Sequence, residues 1–107
     1  MTNFYRFPAM AKLDEWDTDA QLEYIRGEIR EAENAYDEYE MSNGIPGSVQ
    51  RVMGTDVGEK RIEYGMELMD IIHSSETALR MMFWDYEVDE LQQRVIDKNR
   101  KRGYYDD

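Results

Sequence analysis

The chain has 107 residues and a mass of 12.8 kDa, room for one domain. Thirteen Lys and Arg against twenty-four Asp and Glu give a formal charge of −11, which opposes any binding to duplex nucleic acid through phosphate contacts. The absence of cysteine excludes disulfides, thiolate metal centres and cysteine nucleophiles, and with no apolar run long enough for a signal peptide or a membrane span it predicts a soluble cytoplasmic protein with no membrane partner.

In chain order, residues 1–15 form an apolar arm carrying Phe4, Tyr5, Phe7 and Met10 around Pro8. A first long helix is expected from Thr18, where Thr18 and Gln21 have the spacing of a capping box, to about Met41. Its apolar stripe is Leu22, Ile25, Ile29, Ala32, Tyr36 and Tyr39, at alternating steps of three and four. Residues 42–58 hold four of the seven glycines and Pro46, and read as a long connection with one short helical turn over Val49 to Met53. A second long helix is predicted from about Val57 to Phe83, and its middle, Met66 to Ile72, is apolar on almost every side, as suits the centre of a bundle. Asp85-Tyr86-Glu87 reads as a tight connection to a third helix, about Val88 to Lys101, with Leu91 and Val95 facing inward and Gly103 as its C-terminal cap. The predicted class is all-α: two long antiparallel helices and a shorter C-terminal helix, with the bundle completed by association into a homodimer or homotetramer.

Two acidic pairs interrupt this pattern. Glu28 and Glu31 share one face of the first helix with Tyr24, Ala35 and Glu38, about 100° from the apolar stripe. Taken alone they read as a solvated flank. Glu67 and Asp70 lie inside the most apolar stretch of the chain, where unpaired carboxylates cost several kcal/mol, roughly, even after relaxation. No basic residue stands beside them on the second helix, so a divalent cation held by Glu28, Glu31, Glu67 and Asp70 is the economical solution, and an all-oxygen donor set suits Mg²⁺. Glu63 is a candidate outer ligand. Arg94, Lys98, Arg100, Lys101 and Arg102 concentrate positive charge at the end of the third helix, with Asn99 among them. Acidic metal ligands with a cationic, amide-bearing helix end match the needs of a triphosphate on Mg²⁺.

The ordered pattern Glu28-x-x-Glu31, Glu67-x-x-Asp70 and Lys98-Asn99-Arg100-Lys101-Arg102-Gly103-Tyr104 resembles the MazG-like all-α nucleotide pyrophosphohydrolases over residues 18–105. The resemblance implies that the acidic pairs bind Mg²⁺ and that Asn99 and Arg102 hold phosphates. The chain departs from the family in having Gly27 where a further Glu often precedes the first pair, and in a longer link from Glu31 to Glu67.

Other candidates lack the material for chemistry. Gly54 to Lys60 fails the P-loop pattern, because the Lys does not follow the last glycine and is not followed by Ser or Thr. His73, the only histidine, and the aromatics Tyr5, Phe7 and Trp16 read as packing residues rather than as a ligand and base stackers. The expected activity is Mg²⁺-dependent hydrolysis of a nucleoside triphosphate to monophosphate and pyrophosphate. Lys98, Asn99 and Arg102 would bind the phosphates, and Glu28, Glu31 or Glu38 would help deprotonate the attacking water. The alternative is a non-enzymatic acidic helical protein, an adaptor or a DNA mimic, which explains the charge but not the acids inside Met66 to Ile72.

Overall fold

Asp17, not Thr18, caps the first long helix: its carboxylate accepts the Asp19 N–H at 2.9 Å, and the charge suits the positive end of the helix dipole. The structure, a computed structural model, describes residues 4–106. Its helices are α1 (Thr18–Asn43), α2 (Gly47–Met53), α3 (Val57–Met82) and α4 (Asp85–Lys101), preceded by a short 3-10 turn at Leu13–Glu15. The described residues contain no strand, so the all-α class holds. None of their helices is long and apolar enough to cross a membrane.

α1 and α3 pack along most of their length. Gln21 reaches Ser74, Tyr36 meets Tyr64, and Glu38 pairs with Lys60, so partner numbers fall on α3 as they rise on α1 and the two helices are antiparallel. The α1 seam is Gln21, Ile25, Glu28, Ala32, Ala35, Tyr39 and Ser42, all buried or half-buried at steps of four and three. Lys60, Tyr64, Glu67, Ile71, Ser74, Ala78 and Met81 repeat that spacing on α3. This is the spacing of two helices meeting along a heptad-like line. It differs from the apolar stripe read in the sequence. Ile25, Ala32 and Tyr39 belong to both, but Leu22, Ile29 and Tyr36 are exposed, and Glu28 lies in the seam rather than on a solvated flank.

The expectation of a buried centre for α3 is corrected too. Met66 is 64% exposed, Leu68, Met69 and Ile72 are also exposed, and Asp70 faces solvent, because within one chain α1 covers only one side of this segment. The link from α1 to α3 is ordered by Gln50 of α2. Its amide nitrogen donates to the carbonyls of Ser42 and Ile45, and its oxygen accepts the Val57 N–H. Gly54 ends α2 in the left-handed region, with φ +71°, and Asp56 caps α3.

Asp85-Tyr86-Glu87 is not a connection but the first turn of α4, and Glu87 accepts the Trp84 N–H at 2.9 Å to close it. Val88, 1% exposed, is the anchor of α4, whereas Val95 is 48% exposed and Leu91 half-buried, so Val95 does not face a core. Gly103, at φ +77°, ends α4 as expected: its N–H and that of Tyr104 return to the carbonyls of Arg100 and Asn99. A groove of about 580 Å³ separates α4 from α3, with Ile71, Ile72 and Ser75 on one wall and Asp89 and Gln92 on the other.

The arm docks on the C-terminal half of α3. Glu76, buried, accepts the backbone N–H groups of Arg6 and Phe7 at 2.9 and 3.0 Å. Arg80 donates to the Phe7 carbonyl at 2.9 Å and lies 3.9 Å over the Tyr5 ring, while Phe7 stacks on His73 with centroids 4.7 Å apart.

Candidate metal centre

The antiparallel register brings Glu28 and Glu31 of α1 against Glu67 of α3. One carboxylate oxygen from each of the three lies within 4.8 Å of the others. Glu28 is 8% exposed, Glu67 half-buried and Glu31 exposed. The Tyr24 hydroxyl, one helical turn before Glu28, donates to its carboxylate. Even so, Glu28 Oε2 and Glu67 Oε2 are both buried without a hydrogen-bond partner.

Burial pushes the Glu28 carboxyl above its ordinary range. The Tyr24 hydrogen bond opposes that rise, and the negative charges of Asp70 and Glu31 add to it. Burial also raises Glu67, with the charges of Glu31, Asp70 and Glu28 acting in the same direction. Tyr24 is held above the usual phenol value by its bond to Glu28 and by that carboxylate's charge. Asp70 thus stands close enough to act on both Glu28 and Glu67, but beside the triple rather than within it.

None of the ion pairs among the described residues involves Glu28, Glu31, Glu67 or Asp70, which removes a salt-bridged pair as the account of these acids. Oxygens around an octahedral Mg²⁺ at about 2.1 Å are roughly 3.0 to 4.2 Å apart, so the triple needs only a small contraction to hold such an ion. Two orphaned buried oxygens and the hard, all-carboxylate donor set fit a divalent cation.

The other sequence candidates are placed elsewhere. Glu38 lies ten residues beyond Glu28, about 15 Å along α1, and accepts from Lys60 at 3.2 Å. It is therefore not a member of the acidic cluster. Glu63 shares that lysine at 3.4 Å. Lys98 and Arg102 are exposed at the end of α4 and Asn99 is half-buried there. Val88 and Leu91 of α4 share the lining of one cavity with Phe4 and Leu79, and the ion pairs of Arg94 and Arg100 stay within α4, so the structure does not bring its basic end to the acids.

Beside the cluster is a small cavity of about 90 Å³, whose walls include Glu28, Asp70, Trp16, Gln21, Tyr24 and His73. Sequence reading gave Gln21 a capping role with Thr18, whereas its amide donates to the Ser74 carbonyl, and assigned Trp16 and His73 to packing. The available signal was Gln21 itself, an amide at a seam position four residues before Ile25. Comparison of the chain with protein-family models, curated proteins and solved structures gives no match.

Proposed function

We propose that the chain is a Mg²⁺-dependent nucleoside triphosphate pyrophosphohydrolase that acts as a homo-oligomer. The observation that carries this reading is the convergence of Glu28, Glu31 and Glu67 across two helices, with two buried carboxylate oxygens unpartnered and, among the described residues, no basic side chain paired to them. A bound divalent cation would acidify a water and screen the phosphate chain. Glu28, buried, and Glu67, half-buried with its Oε2 buried, are the inner donors, and Asp70 supports them from the cavity side. Glu31, the most exposed of the triple, takes the proton as the water oxygen bonds to phosphorus and the P–O bond to the leaving pyrophosphate breaks.

Lys98, Asn99 and Arg102 bind phosphate oxygens by charge-assisted hydrogen bonds in this reading. Since α4 holds them away from the acids of its own chain, association is part of the proposal. The chain exposes 8357 Å², about 2,000 Å² more than the roughly 6,300 Å² of a compact monomer of this mass. Its radius of gyration is 18.2 Å, against about 13 Å for a compact domain. Covering that excess in a pair of protomers reaches the size of an obligate interface. Leu22, Ile29, Tyr36, Leu68 and Ile72 are the exposed residues it would bury.

The test is a panel of nucleoside triphosphates with Mg²⁺, scored for pyrophosphate. Wild-type protein releases it, Glu67→Gln reduces the rate by about 100-fold or more, since ligand loss removes several kcal/mol of charge stabilisation, and Arg102→Ala weakens substrate binding by about ten-fold or more. Pyrophosphate from no triphosphate, or undiminished turnover in Glu67→Gln, refutes the reading.

A further inference from the structure

Gln21 is 2% exposed and, with the buried Glu28, Ser74 and Thr77, lines the cavity of about 90 Å³ beside the acidic cluster. Its amide nitrogen donates to the Ser74 carbonyl at 2.9 Å, which fixes the orientation of the amide and leaves Oε1 buried with no donor. Glu28 Oε2 and His73 Nε2 are also buried and unpartnered, and both residues belong to the same wall. An amide oxygen and a carboxylate oxygen can only accept, and a neutral imidazole accepts through the nitrogen that carries no proton. Buried acceptors left without a donor lower stability, so three of them around one space mark what that space is built to receive.

Those atoms call for donors, and neither Lys nor Arg lines the cavity. Ordinary water needs donors of its own as well as acceptors. Water on a divalent cation does not, because the metal takes its lone pair and both hydrogens are left to donate outward, more strongly than in bulk. Glu28 belongs both to the acidic triple and to the cavity wall, so the cavity adjoins any cation that the triple holds. Its volume agrees: at roughly 30 Å³ each, about three waters fit, the number that an octahedral Mg²⁺ keeps when one oxygen from each of three carboxylates binds it.

We infer that Gln21 is a positioning residue of the metal centre, with its Oε1 accepting a hydrogen from water on the cation held by Glu28, Glu31 and Glu67, and with His73 Nε2 as a second acceptor. Both groups are braced for this. The Ser74 carbonyl holds the Gln21 amide, and the His73 ring stacks on Phe7, whose backbone is held by Glu76 and Arg80. Outer partners of this kind orient what the metal binds and contribute roughly 10–100-fold to its affinity. They favour Mg²⁺ in particular, since it gives up its water reluctantly. The inference rests on the metal reading above and deepens it, by assigning the hydrated side of the centre to residues outside the acidic cluster.

Calorimetric titration with Mg²⁺ alone, with thermal melts in chelator and in saturating Mg²⁺, tests this on wild-type protein, Gln21→Met and Gln21→Glu. Gln21→Met keeps the side-chain length and removes the acceptor, and is expected to bind Mg²⁺ about ten-fold or more weakly, with a smaller rise in melting temperature on adding the ion. Gln21→Glu keeps an acceptor at the same place but, as a carboxylate, cannot donate to the Ser74 carbonyl; it is expected to retain at least wild-type affinity. A role confined to the Ser74 bond predicts otherwise: both variants melt lower in chelator, and their Mg²⁺ affinities change alike. If Gln21→Met does not fold, His73→Phe, which keeps a ring on Phe7 and removes Nε2, carries the same expected loss. Wild-type Mg²⁺ affinity in the folded variant, or equal losses in Gln21→Met and Gln21→Glu, overturns the inference and leaves the metal centre standing. No Mg²⁺ binding to wild-type protein refutes the metal reading, and the inference with it.

Discussion

Glu67 concentrates the electrostatic conflict of this protein in one side chain. Its carboxyl is raised from 4.5 first by burial and then by the charges of Glu31, Asp70 and Glu28. A carboxyl whose folded value exceeds its unfolded value weakens the metal-free fold above that folded value, and the penalty is relieved as pH falls through it, because the native state then takes up the proton first. Metal-free Glu67→Gln should therefore melt above wild type at neutral pH, and the gap should narrow as pH falls toward 4.5. Saturating Mg²⁺ should reverse the order, since it stabilises only the protein that binds it. Thermal melts of both proteins across that range, with Mg²⁺ and with chelator, check this; a gap that is independent of pH would mean that Glu67 is not under electrostatic load.

Among the elements, the arm has the most specific attachment. Both Glu76 carboxylate oxygens are used by backbone N–H groups, and Arg80 takes the Phe7 carbonyl between them. Glu76→Ala should release residues 4–8 and destabilise the fold by about 2 kcal/mol or more, as hydrogen bonds to a charged acceptor contribute roughly 1.5–3 kcal/mol. Backbone amide exchange at Arg6 and Phe7, alongside a denaturant titration, would show it; protection that survives the substitution would mean that the ring stack alone holds the arm. None of this was legible in the sequence, where Glu76 is one acid among many and its partners are main-chain groups with no signature. The helices were legible, because α1 and α3 carry strong three-and-four spacing and Asp17, Gly54 and Gly103 punctuate them. The facing was not. Apolar spacing marked Leu22, Ile29 and Tyr36, which are exposed although Tyr36 still reaches Tyr64, while the seam itself runs through Gln21, Glu28 and Ser42. Periodicity reports where apolar side chains gather, and in a chain with two apolar surfaces it does not tell which of them meets the partner helix. The acidic pairs, by contrast, were singled out by the apolar stretch around Glu67 and Asp70 and by the pairing with Glu28 and Glu31; that stretch is largely exposed, but three of the four acids converge once the register is antiparallel.

At the scale of the whole molecule, extents of 52 × 41 × 23 Å describe a long, open body in which α4 stands off from α3 across a groove. The exposed apolar residues of α1 and α3 should drive association at about 25 cal/mol per Å² buried, with little dependence on salt. Sedimentation at micromolar concentration is expected to give a dimer or larger species at low and high ionic strength alike, and a monomer would refute it. A further result follows from how lightly α4 is held, with Val88 its only fully buried residue. Its backbone hydrogen bonds in the free chain rest on little tertiary contact, so segmental opening should be fast and nearly as frequent as in an isolated helix. If a second protomer covers α4, deuterium uptake between residues 91 and 101 becomes a second-order property, slowing as the protein is concentrated while uptake in the α1 and α3 seam stays constant. The last helix would then serve as a reporter of assembly, its protection rising with occupancy of the interface.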